Sequence, residues 1–525
     1  MKTIEFSKTL LIVLATLFVL ILVVPSDPIN TFGYHSWRQT QTYVPYDCFS
    51  NGNAETALYC FIAPPVLGGD HFVGLEAPIF QFVQAILNPG NEPTQVSNIL
   101  PALSVVFLGS MLMYMTYSRL PSIIGLILGG SLCLSFIRSP TTQFFVEAFH
   151  PAYFACALMV GGMILLFSSR NNSATRSVWG LSLVALSIAS MPQVILIAGS
   201  IMFMWSLKRS PLRHRFKLDR TMWFALVAKT IFASLLVAIP YGTYHLVGQW
   251  YLNQGWASPY PKWPITIDSL THSDFWPQFV DQIGMAGVGF ALICMFLIIA
   301  SLVHNIRASK FLVCIAIGGP LLAYLATFIL LFHGFWANTY YGYMLILSLI
   351  VSLYASLYYS IITKQMLVAF NKKSAVFAAI AIGFACLPAD LVDLTGRSWR
   401  STWVYRQLAN GSVQCDPEIA ERLIELHTPR NIRLDCDRMD PTCRTATRRR
   451  GTNLPHVQLA RPGVVRAMNE QSSFYLTCLN RSHLDRNEEL NAIFEQNSSL
   501  IDEQGEWRLY QFGHSTSALE RMGSE

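Results

Sequence analysis

Charge is what this sequence has least of. Asp, Glu, Lys and Arg make up 13% of its residues, about half the ~25% of an ordinary soluble domain. Hydrophobic residues make up 52%, so there are too few charges to cover a water-facing surface, and a wholly soluble fold is excluded. Several signatures are missing as well. The chain has no phosphate-binding glycine loop, no metalloprotease helix motif and no internal repeat, which removes three common enzyme and scaffold classes. None of its 11 cysteines forms a tight Cys-x-x-Cys pair, so zinc ligation has little to build on.

What is present is a series of apolar runs, each near the ~20 residues that cross ~30 Å of hydrocarbon as a helix. They fall at 8–24, 100–118, 121–137, 151–169, 176–190, 193–207, 222–246, 283–303, 311–332, 341–362 and 374–390. The two runs flanking Ser190-Met191-Pro192 are short, and read either as a pair or as one kinked region. The expected architecture is an α-helical polytopic membrane protein of about 11 spans, residues 1–390, followed by a charged soluble domain, residues 391–525. The first run reads as a retained anchor, since it continues into Pro25-Ser26-Asp27-Pro28 without a small-residue cleavage site.

Lys and Arg set the orientation. With the N-terminus inside, the inner loops hold Arg119, Arg170, Arg176, the cluster Lys208, Arg209, Arg213, Arg215, Lys217 and Arg220, then Arg307, Lys310, Lys364, Lys372 and Lys373. The outer loops before the tail hold only Arg38, Arg138 and Lys262. Cysteine placement agrees: Cys133, Cys156, Cys294, Cys314 and Cys386 lie in apolar runs, where a thiol behaves as a small hydrophobe, and the other six lie outside. An oxidising compartment permits one bridge between Cys48 and Cys60, and up to two among Cys415, Cys436, Cys443 and Cys478.

In the tail, Asp416-Pro417-Glu418 starts a helix to His427, with an Asp cap and Pro at the first position. Strand-like runs at 431–434, 474–479 and 507–512 alternate with helical stretches near 464–469 and 485–496, which suggests a small α/β module.

Polar chemistry concentrates in the first outer loop, residues 25–98. It opens with His35-Ser36-Trp37-Arg38-Gln39-Thr40-Gln41-Thr42 and closes with Glu76-Ala77-Pro78, which leads into an amphipathic stretch to Leu87. An Arg at the headgroup level holds a phosphate through charge-assisted bonds, an aromatic ring stacks on a sugar, and a carboxylate takes a proton from a hydroxyl. The plainer reading has Tyr34, Trp37 and Tyr43 as an interfacial belt and Arg38 as an anchor. Residues 250–276, with Trp250, Tyr251, Trp256, Tyr260, Trp263 and Trp276, admit the same two readings.

The order of an apolar span, the His-x-Trp-Arg-Gln run, then Glu-x-Pro before an aromatic-rich helix, resembles the first periplasmic loop of GT-C glycosyltransferases. This polyprenyl-phosphate-sugar-dependent class includes the protein O-mannosyltransferases and the lipid A aminoarabinose transferase. The run His333-Gly334-Phe335-Trp336-Ala337-Asn338-Thr339-Tyr340-Tyr341 resembles an outer element of the bacterial branch, and Arg449-Arg450-Gly451 with Phe474-Tyr475-Leu476 resembles its periplasmic domain. The resemblance implies an inverting hexosyl- or pentosyltransferase of the bacterial inner membrane, with its tail in the periplasm. Its donor would be a polyprenyl-phosphate sugar, its acceptor a hydroxyl of a lipid, glycan or protein, and its surroundings membrane lipids rather than nucleic acid.

The acidic residue common just after the first span of such enzymes is not in place here, so several residues compete as base. Glu76 leads, because its Glu-x-Pro resembles the Glu-Lys-Pro of the aminoarabinose transferase; Asp47, Asp70 and His35 follow. Glu147 and His150 would form the acidic site of the second outer loop, and a divalent metal between Glu76 and Glu147 is the one cofactor the chemistry suggests. Substrate contacts are expected from Trp37, Arg38, Gln39, Arg138, His150, Lys262, Tyr340 and Tyr341. Three rival functions remain. A polysaccharide ligase or polymerase would use a pyrophosphate-linked donor. A transporter would carry midplane charges, and the spans here are nearly free of charge, with Lys229, near its span's inner end, the main exception. A receptor or scaffold would place its work in the tail.

Overall fold

The computed structural model describes residues 76–87, 99–119, 122–139, 150–168, 174–208, 220–251, 275–308, 310–330 and 342–359, and in the tail 417–428, 434–436, 473–478, 496–505 and 507–513, with scattered positions between 42 and 61, 141 and 145, and 466 and 469. The first and last apolar runs of the sequence lie outside these residues.

Among the described residues a short helix, α1 (Ile79–Leu87), precedes the membrane bundle. The bundle runs α2 (Ile99–Arg119), α3 (Ser122–Arg138), α4 (Ala152–Ser168), α5 (Ala174–Ser190), α6 (Ile195–Lys208), α7 (Arg220–Tyr251), α8 (Phe275–Arg307), α9 (Phe311–Leu330) and α10 (Gly342–Tyr359). Among the described residues, five segments are long and apolar enough to cross a membrane, namely Ile99–Arg119, Arg220–Gly248, Ala286–Arg307, Phe311–Leu330 and Gly342–Tyr359. Pro240 and Pro320 sit inside α7 and α9, as membrane helices tolerate where neighbours satisfy the freed backbone.

The segment around Pro192 is a true reversal. Ser187 donates to the Ala155 carbonyl at 2.7 Å, so the end of α5 is level with the start of α4. Lys208 donates to the carbonyls of Leu166 and Phe167 at 3.1 and 3.2 Å, so α6 ends level with the end of α4. The chain therefore rises along α5, turns through a 3₁₀ turn at Pro192–Val194, and descends along α6. Lys208 also satisfies carbonyls that a helix end leaves open.

Small residues bring α4 and α5 together. A Cβ on Gly162 would stand 2.7 Å from the Gly180 carbonyl oxygen and 2.8 Å from Val184, so only glycine permits this approach. The core lies where α4, α5, α6 and α10 meet, with Met159, Met163, Ile188, Ile197, Ile201, Leu347 and Val351 buried. Helix α10 is covered on nearly all sides, whereas α7 turns Phe224, Phe232, Leu235 and Trp250 outward, as suits a lipid-facing helix. Cys133, Cys156 and Cys294 are free and buried as expected, and Cys314 is free and partly buried.

Two helices are longer than their apolar cores. At 1.5 Å per residue, the 32 residues of α7 reach about 48 Å, more than the ~30 Å of hydrocarbon. Helix α8 changes direction at Gly284, whose φ of 61° lies in the left-handed region that glycine enters at little cost. Phe275–Ile283 thus forms a helical piece of its own before the span.

The tail holds α11 (Pro417–His427) and the strands β1 (Leu434–Cys436), β2 (Phe474–Cys478), β3 (Ser498–Gln504) and β4 (Trp507–Phe512). Their order is β1-β2-β4-β3, with β1 and β2 parallel and the other pairs antiparallel. Leu423 and Ile424 of α11 pack on Phe474, Leu476, Trp507 and Leu509, giving the expected α/β module. Strand β3 is an addition to that expectation. Its sequence, Ser-Ser-Leu-Ile-Asp-Glu-Gln, has an edge strand's polarity and a bulge between Leu500 and Asp502, which together break the alternation a strand displays in sequence.

Candidate functional site

Basic side chains gather at one end of the bundle. Arg119 lies over the Tyr358 ring at 5.4 Å, and Lys208 caps α4 at that same end. Glu76 lies at the opposite end, where the N–H of its neighbour Ala77 donates to the Ala189 carbonyl at 2.8 Å. This tie fixes the Glu-Ala-Pro element on the C-terminal end of α5, beside the 3₁₀ reversal. Pro78 then begins α1, as its preset φ and missing donor favour, and the Phe82 N–H closes the first turn on the Pro78 carbonyl at 3.0 Å.

Helix α1 is amphipathic, as its sequence predicts. Phe80, Gln81, Gln84 and Ala85 are buried, while Ile86 and Leu87 are exposed. The Gln84 side-chain oxygen accepts from the Leu100 N–H at 3.2 Å, which satisfies an open donor at the start of α2. Phe80 meets Phe154 of α4 at 5.8 Å within a small cluster that includes Tyr46 and Leu100.

The described part of the first loop is bound to this element. Cys48 and Cys60 form the expected disulfide, 12 residues apart, a closure that in the chain-entropy account stabilises by about 3 kcal/mol. The adjoining rings of Phe49 and Phe61 pack 4.8 Å apart, and each lies 5.4 Å from Phe82 of α1. From the other side, the Tyr244 hydroxyl of α7 donates to the Phe61 carbonyl at 3.1 Å.

The partly buried Glu76 lies near this end of α7. Its charge acts electrostatically on both Tyr241 and Tyr244, and the Tyr241 ring stacks on His245 at 6.1 Å. This group of a carboxylate, two phenols and an imidazole at one end of the bundle can accept a proton and hold a polar ligand. Reading the sequence for apolar runs missed the three α7 residues. The available signal was the crowding of Tyr241, Thr243, Tyr244 and His245 into one end of an otherwise apolar span.

A second polar patch adjoins the same turn of α4. Ser139 donates to Thr142 at 2.8 Å, and the Thr142 hydroxyl shares a 2.8 Å bond with Tyr153. Phe145 packs on His150, Tyr153 and Tyr343 at 5.2, 5.3 and 5.6 Å. His150 is buried, and its Nδ1 accepts from the Ala152 N–H at 3.1 Å, so it caps α4 in the neutral form and carries its proton on Nε2. Tyr153 turns to this patch while its neighbour Phe154 turns to α1, so the first turn of α4 joins the Glu76 element to the segment that starts at the partly buried Arg138.

Of the residues singled out in the sequence, the structure thus places Glu76, Arg138 and His150 around the end of α3, the start of α4 and the end of α5. His35, Trp37, Arg38, Gln39, Asp47, Asp70, Glu147, Lys262, Tyr340 and Tyr341 lie outside the described residues. Among the described residues, no three His, Cys, Asp or Glu side chains converge as metal ligands.

No family model matches the chain, and no curated protein matches it in sequence. Its architecture does match solved structures. ArnT from Cupriavidus metallidurans in the apo state superposes over 97% of this chain and 98% of its own, with a TM-score of 0.50 at 12% identity. The chain has the GT-C fold. The same ArnT bound to undecaprenyl phosphate matches 96% of the chain and 97% of its own length, again at 0.50 and 12%. The apo oligosaccharyltransferase of Archaeoglobus fulgidus, also GT-C, covers 94% of the chain and 73% of its own, with a TM-score of 0.51 at 11% identity. These likenesses establish a multi-pass GT-C body.

Proposed function

We propose that this protein is a membrane glycosyltransferase that moves a sugar from a polyprenyl-phosphate donor to a hydroxyl of a lipid, glycan or protein at the outer face of the inner membrane. The observation that carries the reading is the placement of Glu76, held at the outer end of a GT-C bundle by the Ala77 to Ala189 bond and faced by Tyr241 and Tyr244. The ArnT structure with undecaprenyl phosphate supports a lipid-linked donor.

In this reading the Glu76 carboxylate takes the proton of the acceptor hydroxyl as its oxygen attacks the anomeric carbon. The new carbon–oxygen bond forms on the face opposite the phosphate, so the anomeric centre inverts. The bond from that carbon to the phosphate oxygen breaks, and its electron pair leaves with the polyprenyl phosphate. Arg138, with Arg38 and Lys262, are the cations of the outer loops, and a guanidinium suits the two oxygens of the departing phosphate. Trp37, Gln39, Tyr340 and Tyr341 are proposed as further substrate contacts, and His150 through its Nε2 proton. Asp47, His35 and Glu147 stand behind Glu76 as candidate bases. A divalent ion on Glu76 and Glu147 would neutralise charge on the donor phosphate; no step here is assigned to it.

Mass spectrometry of lipids that copurify with the solubilised protein tests the donor class. A monophosphate polyprenyl sugar is the expected finding. A pyrophosphate-linked oligosaccharide would transfer the reading to a ligase or polymerase, and phospholipid alone would count against transfer. Glu76→Gln keeps the side chain's shape and removes its charge. Normal transfer by that variant, expressed at the parental level, would remove Glu76 from the role of base.

A further inference from the structure

Glu76 precedes α1 rather than lying within it, so the helix ladder does not hold it. The Ala77 to Ala189 bond fixes the backbone on its C-terminal side. On its other side three contacts converge from elements distant in sequence. The disulfide draws Cys48 to Cys60, which sets the neighbouring Phe49 and Phe61 rings against each other and against Phe82. The Phe61 carbonyl in turn receives the Tyr244 hydroxyl, and Tyr244 is within electrostatic reach of Glu76.

We propose that the Cys48–Cys60 disulfide and Tyr244 form a clamp that positions the Glu76 carboxylate for proton transfer, with Tyr244 acting as a positioning residue. The proposal rests on Glu76 being the base. The disulfide and the rings of Phe49, Phe61 and Phe82 make a closed circuit, Tyr244 ties Phe61 to α7, and α1 carries the restraint from Phe82 back to the residue that precedes it, Glu76. Each link alone is a weak restraint, but a closed circuit removes the hinge motions that an open loop retains.

The disulfide ties this arrangement to the oxidation state of its compartment. Reduction adds two electrons and two protons, supplied by an external dithiol, and leaves Cys48 and Cys60 as separate thiols. The loop then loses the closure that sets Phe49 beside Phe61.

The test labels Glu76 with a water-soluble carbodiimide in the full-length solubilised protein and reads the modified peptide by mass spectrometry. Three forms are compared with the parent: dithiothreitol-reduced protein, the Cys48→Ala/Cys60→Ala pair, and Tyr244→Phe, which removes one hydroxyl and keeps the ring. Glu76 is expected to label several-fold faster in all three, with Glu503 in the tail labelled at the parental rate as an internal control. Turnover of a polyprenyl-phosphate sugar by Tyr244→Phe should lose kcat, by up to about 10²-fold for a base misplaced by ~1 Å, with KM unchanged. Parental labelling of Glu76 in both variants would overturn the clamp, and so would a Tyr244→Phe defect confined to KM. Retained activity in Glu76→Gln would overturn the role of base instead, because labelling reports the clamp independently of chemistry.

Discussion

Replacing Gly162 with alanine tests whether the approach of α4 to α5 is needed by the site as well as by the fold. The added Cβ would meet the Gly180 carbonyl oxygen at 2.7 Å, where ordinary contacts begin near 3.4 Å. The obstacle is backbone, so α5 must retreat by about 0.7 Å, an overpacking that costs about 1 to 3 kcal/mol. Alanine's preference over glycine within a helix returns about 1 kcal/mol. The expected net loss is therefore about 1 kcal/mol at the middle of these ranges, measured by reversible unfolding in mixed micelles. Gly180→Ala meets Leu166 at 2.8 Å and the Gly162 carbonyl at 3.0 Å, so the double variant should cost less than the sum, as coupled neighbours do. Because Ala189 at the far end of α5 holds Ala77, carbodiimide labelling of Glu76 should also change. Equal or greater stability in both single variants, with Glu76 labelling unaltered, would refute the argument.

Two further outcomes are expected. Lys208→Met removes the ammonium that caps Leu166 and Phe167 and lies 5.6 Å over the Phe167 ring; a loss of about 1 to 2 kcal/mol is expected, and parental stability would show that the cap contributes nothing. In the tail, His427 bonds Asp502 at 2.7 Å, and that bond, with the Glu503 N–H and Gln504, holds the Asp502 carboxyl below its ordinary value. A depressed carboxylate pKa contributes stability above the unfolded value, ~3.9, which is lost as pH falls through the lower folded value. Asp502→Asn should flatten the acid limb of hydrogen exchange in β3 and β4 below about pH 4; an unchanged limb would assign the acid sensitivity to other groups.

The membrane body was largely legible in the sequence because its signal is long. Runs such as 100–118 and 311–332 predict α2 and α9 within a few residues, and Arg119 and Lys208, which the loop bias groups together, meet at one end of the bundle. The Cys48–Cys60 bridge was legible for the same reason, since sidedness left only two cysteines in that loop. Less was legible at the site. Glu76 was found through a local pattern, but Tyr241, Tyr244 and His245 reach it from a helix over 160 residues later, and nothing local in sequence encodes that meeting. His150 was expected to bind substrate, and the structure adds that its Nδ1 is engaged at a helix start, a partner set by backbone geometry. Strand β3 escaped because edge strands carry polar residues on both faces.

That edge has a consequence for a protein confined to a sheet of lipid. Anchoring in two dimensions raises the encounter rate between identical tails far above that of free domains, and an open strand edge would then template the addition of another copy's strand. Among the described residues, one edge of the sheet is the three-residue β1, and the other, β3, is interrupted by its bulge and carries Asp502 and Glu503. Short, bulged and charged edges are the means by which sheets resist such growth. The module can thus stand crowded among its own copies without joining them into a ribbon.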